Sequence, residues 1–454
     1  MNINRPGVLF MPSVIERLER EYIEKHAKSK TLHERARNCF ASGVTHDARY
    51  AEPFPIYMAG ADGTKKWDVD GNEYVDYVMG HGALLLGYND ERLVKALEEI
   101  LPYVHMGSCT ELEIEWAEMV KKLVPCAHDG FVRACACGSE AIEMSVRLAR
   151  IYTGREKIVI HEGCYHGKWE EVCPGHTGPP YGQCNIRGIP KAILDNVIII
   201  PYNKPEITKK VLSRGDVACI ILQGNAPYTK EYMEELRELT EMYGVVYILD
   251  EVVSGFRYAP GGAQEYYGVT PDIAVLGKIV GGGAPIGAIC GDREIMKYHE
   301  IRRGDEYWNR FVRIAVGGTW NAQPLSIRAG LEIMRIIDRE REEIYPRLYQ
   351  ICDTLTKHIN ENAEEFGLDI RASGTPPEKP MVNIHPIFGE GSNQLAQYAY
   401  YLSLTNNGVN PFGRRSTFIP CAKHSDEDLE ITGEAIRKAF EAMSEGGLVA
   451  ARKG

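Results

Sequence analysis

One carboxylate and one amine each follow an apolar run that the sequence predicts to be a buried strand. The first run, 245–249, is rich in β-branched and aromatic residues and ends at Asp250. The second, 273–276, ends at Gly277-Lys278 and is followed by three glycines at 281–283. Because neighbouring parallel strands deliver the residues at their carboxyl ends to the same edge of a sheet, we expect Asp250 and Lys278 to face one site.

An acid and an amine placed in this way match the needs of a pyridoxal phosphate site. The amine forms a Schiff base, and the carboxylate keeps the pyridine nitrogen protonated so that the ring withdraws electrons. The apolar neighbours of Lys278 would desolvate its amine and lower its pKa. Each residue also has a simpler explanation: Asp250 could cap a helix, and a lysine near a glycine turn is usually solvated.

Other residues at predicted strand ends suit the remaining parts of such a cofactor. Gly138-Ser139 lies between the predicted strand 131–134 and a helix, where backbone N–H groups and a hydroxyl can bind a phosphate. Such a turn also occurs without any ligand. Tyr165-His166 follows the predicted strand 157–160, so a tyrosine ring could stack on the cofactor or belong to the core. The glycine-rich turn ending at Thr319 suits a phosphate oxygen.

Arg49 is a candidate for binding a substrate carboxylate. It is the lone guanidinium in a turn of small and polar residues at 43–49. A free arginine of this kind can bind a carboxylate through two parallel hydrogen bonds. A structural ion pair is the alternative.

The elements that position these residues predict an α/β protein. From about 60 to 320, short apolar strands alternate with amphipathic helices, which indicates a mostly parallel sheet sandwiched by helices. After Gln323-Pro324 the chain turns helical, with strand-like pieces at 381–384 and 416–419 and a last helix from Ser425. We therefore predict a large cofactor-binding domain at 61–324 and a smaller α+β domain at 325–454. The N-terminal segment 1–60 would join the smaller domain, and residues 13–37 are predicted to form one amphipathic helix.

The composition excludes several classes of protein. The chain has 454 residues, a net charge of −11 and 44% hydrophobic residues, which is typical of a globular protein and argues against nucleic-acid or anionic-membrane partners. No apolar stretch is long enough for a membrane span, and no leader pattern is evident, so we expect a cytoplasmic location. The 12 cysteines show no disulfide or zinc spacing, including those in the His- and Cys-rich stretch 161–184; we expect reduced thiols and no metal.

Taken together, the motifs resemble the class III (fold-type I) pyridoxal-phosphate-dependent aminotransferases over nearly the whole chain. The matching segments are 68–76, 138–141, 165–167, 249–252, Lys278 and 318–319. The resemblance implies that Lys278 forms the internal aldimine, that Asp250 pairs with the pyridine nitrogen and that Val252 packs on the ring opposite Tyr165. It also implies a homodimer with sites at the interface, in which Thr319 of the second subunit joins the phosphate site. The implied cofactor-binding residues are Gly138, Ser139, Tyr165, His166, Asp250, Val252, Lys278 and Thr319.

Within the family, the segments 250–257 and 80–87 are similar to the branch that contains glutamate-1-semialdehyde aminomutase, D-phenylglycine aminotransferase and β-amino acid aminotransferases. In that branch the arginine that matches Arg49 binds the substrate carboxylate. One departure affects the substrate site: Gln223-Gly224 stands where the family usually has Glu-Pro. The carboxylate that often pairs with a gateway arginine is therefore missing, and Gln223 becomes a candidate substrate contact. Arg414 and Arg415 remain as possible carboxylate partners.

The resemblance implies an aminotransferase that moves an amino group from an amino acid to a 2-oxo acid through Lys278 and a pyridoxamine phosphate intermediate. We expect a β-amino or unusual α-amino acid as the donor. The alternatives are an intramolecular aminomutase of the glutamate-1-semialdehyde type and a racemase or epimerase. A silent homologue that uses the fold only for binding is a further alternative, which the retention of Lys278 and Asp250 disfavours.

Overall fold

The computed structural model describes residues 13–103, 107–176, 178–183, 186–373, 384–413 and 415–452. The predicted strand at 381–383, Cys184 and Arg414 lie outside these ranges. The remaining residue of that predicted strand, Ile384, forms an antiparallel bridge with Phe418.

A seven-stranded sheet forms the centre of the fold, in the order β4-β10-β9-β8-β7-β5-β6. Only β10 runs antiparallel to its neighbours, β4 and β9, while the other pairings are parallel. The predicted mostly parallel sheet is therefore confirmed. Its strands are β4 (Phe131–Cys135), β5 (Lys157–His161), β6 (Val197–Ile200), β7 (Val217–Gln223), β8 (Val246–Asp250), β9 (Ile273–Gly277) and β10 (Gly287–Gly291).

A second sheet has four strands in the order β1-β2-β3-β13, and a third pairs β11 with β12. In the second sheet β13, from the C-terminal part of the chain, pairs parallel with β3. The strands are β1 (Met58–Asp62), β2 (Lys65–Asp68), β3 (Glu73–Asp76), β11 (Ile370–Ala372), β12 (Pro386–Phe388) and β13 (Val409–Asn410).

Helices surround these sheets. Their bounds are α1 (Val14–Lys25), α2 (Ala27–Ala36), α3 (Met79–Gly82), α4 (Glu91–Ile100), α5 (Glu111–Leu123), α6 (Gly138–Thr153), α7 (Lys191–Leu194), α8 (Pro205–Leu212), α9 (Lys230–Tyr243), α10 (Gly262–Tyr267), α11 (Arg293–Met296), α12 (Pro324–Glu365), α13 (Ala396–Asn406) and α14 (Asp426–Glu445). The predicted cap of α9 is confirmed, because Thr229 accepts from the N–H of Tyr232 and the helix ends at Gly244 in the left-handed region. Ser425 caps α14 as predicted.

Both faces of the seven-stranded sheet are covered, because alternate residues of each strand point to opposite sides. On one face α6 buries Ile142 and Val146 against the sheet residues Ile248 and Val275. On the other face α5 and the first half of α12 cover β9 and β10, while α9 covers β7 and β8. The sandwich of helices around an α/β sheet agrees with the prediction.

The N- and C-terminal parts share a separate core. Helices α1, α13, α14 and the second half of α12 enclose it, with β3 and β11 at its edge. The 42-residue helix α12 runs through both cores and bends at Glu340, where the backbone leaves the helical region (φ −112°, ψ 21°). Pro346 follows within the helix, and a proline there removes a backbone hydrogen bond. The division at 324/325 stays a prediction, since α12 contributes to both cores.

The prediction of one helix over 13–37 is wrong, because the helix is interrupted at His26. The backbone of His26 is non-helical (φ −124°, ψ 41°) between α1 and α2. Its buried ring makes hydrogen bonds of 2.6 Å to the Tyr22 carbonyl and 2.7 Å to the Tyr74 hydroxyl. These tertiary bonds hold the break, and a helical pattern in the sequence cannot reveal them.

Within the described ranges, no helix has the length and apolar character needed to cross a membrane.

Candidate active site

The carboxyl ends of β7, β8 and β9 bring the predicted site residues together. These strands are adjacent and parallel, with Gln223 paired to Asp250 and Asp250 paired to Val275. The backbone continues this order, because the N–H of Gly224 donates to the Asp250 carbonyl at 2.8 Å. Lys278 begins the turn that directly follows β9. The predicted convergence of Asp250 and Lys278 on one edge of the sheet is thus what the strand order produces.

Asp250 is buried and held by two donors. His166 Nδ1 lies 2.7 Å from Asp250 Oδ2, and the N–H of Val252 donates to Oδ1 at 3.0 Å. Burial alone disfavours a charged imidazole, but the hydrogen bond to Asp250 outweighs it and raises the pKa of His166 to about 9. His166 is therefore a cation at neutral pH, and its hydrogen bond orients the carboxylate of Asp250. Because His166 lies behind Asp250, it would act on a cofactor through that carboxylate.

Lys278 has the opposite environment. Its backbone lies in the left-handed region (φ 53°), which orients its side chain at the start of a glycine-rich turn. Burial lowers the pKa of the Lys278 amine to about 8, with Asp250 opposing this effect and Arg257 adding to it. A substantial fraction of the amine is thus uncharged near neutral pH, as a nucleophile or base requires.

The N-terminus of α6 has the properties of an anion site. Cys137, which precedes it, makes no capping hydrogen bond with its side chain, and helix N-terminal N–H groups attract anions. The helix end lies close to the rest of the site: a Cβ at Gly138 would come within 2.8 Å of the Val252 side chain, and one at Gly167 within 2.2 Å of Ser139 Oγ. Val252 also lies against Gly277, where an added Cβ would meet it at 3.1 Å. Val252 therefore stands between the helix end and the Lys278 turn.

Gln223 holds the loop that carries Tyr165. Its Oε1 accepts from the N–H of Tyr165 at 2.8 Å, and its Nε2 donates to Asn225 Oδ1 at 2.8 Å. The Tyr165 ring is partly exposed and packs edge-on against His176 at 4.7 Å between centroids. The role of Gln223 as a substrate contact stays a prediction; in the structure its carbonyl oxygen binds the Tyr165 backbone and its NH₂ group binds Asn225.

Arg49 is exposed and lines a cavity of about 1200 Å³. Its guanidinium donates to Thr45 Oγ1 at 2.9 Å, and among the described residues it forms no ion pair. His81 lies in the same cavity wall, with its ring 4.9 Å from that of His46. Burial lowers the pKa of His81 to about 4, and the positive charges of Arg49 and Lys278 add to this effect. The charges of Arg49 and Lys278 thus both act on His81.

Two predicted residues lie farther from this cluster of contacts. Thr319 is exposed in the turn that leads into α12. Its predicted role depends on a second subunit and stays a prediction. Arg415 is exposed too, and its charge is one cause of the lowered pKa of His176, the ring that packs on Tyr165.

The residues present fit pyridoxal phosphate. The N-terminus of α6, where Gly167 packs closely against Ser139 and Gly138 against Val252, suits a phosphate. The carboxylate of Asp250 is oriented by a cationic histidine, and the desolvated Lys278 follows the adjacent strand. Among the described residues, no cluster of His, Cys, Asp or Glu is placed to hold a metal.

Sequence reasoning did not identify the roles of His81 and Arg257. Gly80-His81-Gly82 has glycines on both sides of a histidine, which is a weak signal of an unusual backbone. Indeed His81 adopts φ 60°. For Arg257 no sequence signal distinguishes a fully buried guanidinium from an exposed one.

The ion pair of His166 with Asp250 predicts a defined pH dependence of stability. The pKa of His166 is raised above its unfolded value of about 6.5, so its contribution is complete below pH 6.5 and is lost as pH rises through about 9. We expect the wild-type chain to be more stable than His166→Gln by at most about 3 kcal/mol at pH 6, with this difference shrinking toward pH 9.5. Thermal unfolding of both cofactor-free chains across this range measures it. A difference that is constant with pH would contradict the ion pair.

Comparison with known proteins agrees with this geometry. The family model "Aminotransferase class-III" matches residues 46–440. The glutamate-1-semialdehyde 2,1-aminomutase of Methanocaldococcus jannaschii is 36% identical over 440 residues, which cover 92% of this chain and 99% of that protein. Among solved structures, an omega-transaminase from Sphaerobacter thermophilus has a TM-score of 0.82 at 29% identity and covers 91% of this chain and 97% of its own. A transaminase with PLP bound has a TM-score of 0.84 at 28% identity, with coverage of 93% and 99%.

The predicted resemblance and the fold-type I architecture are confirmed by these matches. The comparisons include both aminomutases and transaminases, so they define the family and its cofactor rather than the reaction. The chain belongs to the class III aminotransferases, a family of pyridoxal-phosphate-dependent enzymes.

Proposed function

We propose that this enzyme is an aminotransferase that moves an amino group from a carboxylate-bearing amino acid to a 2-oxo acid. The observation that carries the proposal is the contrast between two neighbouring groups: Asp250 is hydrogen-bonded to the cationic His166, and burial lowers the pKa of the Lys278 amine to about 8. The family description and the two transaminase structures at 28–29% identity support transfer between molecules. We further propose the predicted homodimer and the predicted cytoplasmic location.

Bound pyridoxal phosphate supplies the carbon that takes up the amino group and a ring that withdraws electrons from the substrate. The chain supplies proton control at the two ends of that ring. Asp250, oriented by His166, holds a proton on the pyridine nitrogen. The Lys278 amine, with its pKa near 8, would take the proton from the substrate carbon that bears nitrogen and deliver it to the cofactor carbon bonded to that nitrogen.

Several residues fix the geometry of this exchange. Ser139 and the first N–H groups of α6 would bind the phosphate. Val252 would support one face of the ring and Tyr165 the other. Because Gln223 is bonded to the backbone of Tyr165, it would set how closely that aromatic ring approaches.

Arg49 would bind the substrate carboxylate. Its guanidinium lines a cavity together with His81, on which Lys278 also acts, and has no carboxylate partner among the described residues, so it is available for two parallel hydrogen bonds. His81, with a pKa near 4, is neutral at physiological pH and would not compete with Arg49 for the anion. A β-amino or unusual α-amino acid remains the proposed donor.

An intramolecular aminomutase is the second candidate. It is favoured by the names of relatives such as the Methanocaldococcus jannaschii protein, at 36% identity over nearly the full length of both chains. The two reactions place the same demands on Lys278, Asp250 and the phosphate site. They differ in whether the first product leaves before the second half of the reaction.

A single-substrate experiment separates the two candidates. We expect the holoenzyme to convert an amino acid only when a 2-oxo acid such as pyruvate or 2-oxoglutarate is present, with the two products formed in equal amounts. Glutamate-1-semialdehyde alone should give no sustained turnover, as followed by chromatography of the products. Sustained isomerisation of that compound without an oxo acid would replace the aminotransferase with the aminomutase.

Lys278→Ala is expected to lower turnover by about 10²–10⁴-fold or more, because the base and the covalent anchor are both lost. The phosphate site and Asp250 remain, so the variant should still bind the cofactor noncovalently. Borohydride reduction followed by mass spectrometry should attach the cofactor to the wild-type chain only. Lys297→Ala, which removes a surface lysine paired with Glu294, is the matched control. Full activity of Lys278→Ala would contradict the assignment.

Arg49→Ala is expected to weaken kcat/KM for carboxylate substrates by roughly 30-fold or more, as for loss of one partner of a charged pair. The kcat/KM for the corresponding decarboxylated amine should change little, since that amine has no carboxylate. Arg49→Lys should retain part of the preference because it keeps the charge but not the paired donors. An unaltered preference for the amino acid in Arg49→Ala would exclude this role.

A further inference from the structure

Arg257 is a fully buried guanidinium without a counter-ion among the residues that the structure describes. Its two terminal nitrogens donate to main-chain carbonyls, Nη1 to Pro420 at 2.7 Å and Nη2 to Gly82 at 2.9 Å. Its Nε is buried and has no hydrogen-bond partner among the described residues. Burial lowers the pKa of Arg257, but an arginine remains protonated at physiological pH.

A buried cation of this kind is costly unless it is paired. The groups that face Arg257 are the thiols of Cys421 and Cys352 and the hydroxyls of Tyr345 and Tyr258. Each of these groups is neutral when protonated, and burial raises the pKa values of Cys352, Tyr345 and Tyr258. The charge of Arg257 is therefore not cancelled by its surroundings, which suggests a role other than stability.

The turn that Arg257 binds is itself strained. Met79, Gly80, His81 and Gly82 have consecutive positive φ values of 41°, 59°, 60° and 81°. Left-handed backbone is unfavourable for residues other than glycine and persists only where surrounding contacts hold it. The bond from Arg257 to the Gly82 carbonyl is one such contact. A second is the bond from the Met79 N–H to Asp76 at 2.9 Å.

The same turn lies against the loop that follows Lys278. A Cβ at Gly283 would come within 2.8 Å of the Leu84 side chain, just after the strained residues. Arg257 also acts electrostatically on Lys278. The strained turn thus packs between the Arg257 guanidinium and the Lys278 loop. On its other side, His81 lines the same cavity as Arg49.

We propose that Arg257 is a positioning residue of the active site, which fixes the 79–84 turn beside the Lys278 loop and places a permanent positive charge near the Lys278 amine. The inference rests on the proposed role of Lys278 as the reactive amine. It goes beyond that role by identifying what keeps the amine reactive.

The groups that act on the Lys278 amine are few. Burial disfavours its charged form, Asp250 favours that form and Arg257 disfavours it. His81 is neutral at physiological pH. Without the charge of Arg257, only burial would oppose Asp250, and the amine would hold its proton to higher pH. A residue that served only as a structural clamp would have no such effect.

The test measures the reactivity of the Lys278 amine directly. The full-length chain, freed of cofactor, is pulsed with acetic anhydride at a series of pH values, and acetylation of Lys278 is quantified by peptide mass spectrometry. We expect half-maximal reactivity of the wild-type chain near pH 8. Arg257→Gln, which keeps an N–H donor but loses the charge, should move this midpoint to higher pH. Arg257→Lys, which keeps the charge, should leave it near the wild-type position.

Tyr345→Phe is the control for a structural effect. It removes a buried bond of 2.9 Å to the Phe256 carbonyl, next to Arg257, without removing a charge. It should lower the melting temperature and leave the Lys278 midpoint unchanged. An unchanged midpoint in Arg257→Gln, or an upward shift in Arg257→Lys, would overturn the inference. A wild-type midpoint close to that of surface lysines would instead remove the proposed role of Lys278, and this inference with it.

Discussion

The site depends on two titratable groups that leave adjacent strands with opposite electrostatic surroundings. Asp250 ends β8 and is paired to a cationic histidine 2.7 Å away, whereas Lys278 follows β9 and is desolvated beside another cation. The acid is therefore held by a cationic donor, and the pKa of the amine is lowered. Because β8 and β9 are neighbours in the sheet, the two groups with these different surroundings lie only one strand apart. A cofactor bound at that edge would have an acid on one side and an amine of lowered pKa on the other.

Close packing around glycine keeps the phosphate site in register with these groups. Val252 contacts the positions of both Gly138 and Gly277, so the helix end and the Lys278 turn cannot move apart independently. Gly287 of β10 reinforces this arrangement, since a Cβ there would lie 2.2 Å from the Cys137 carbonyl. Side chains at these glycines would displace α6 relative to the sheet. The geometry of the site is thus a packing property of the sheet as much as a property of its polar residues.

The strand ends were predictable because buried parallel strands are continuous apolar runs, and a charged residue that ends such a run stands out. Asp250 and Lys278 were therefore visible in the sequence, as were the caps Thr229 and Ser425. The break at His26, the engagement of Gln223 by Tyr165 and the burial of Arg257 were not. Each depends on contacts between residues distant in the chain: His26 with Tyr74, for example, spans 48 positions. No local pattern encodes such contacts.

The amide at Gln223 affects how an aminotransferase could bind two different substrates in turn. A carboxylate at this position could neutralise a neighbouring arginine and release it when the substrate changes, but an amide bonded to Tyr165 and Asn225 carries no charge to do so. The cations around the site therefore stay available throughout the reaction. A substrate carboxylate bound by Arg49 in a first half-reaction would meet the same charges in the second. Transfer between molecules and rearrangement within one molecule would then share the binding step, and the rate at which the first product leaves would decide between them.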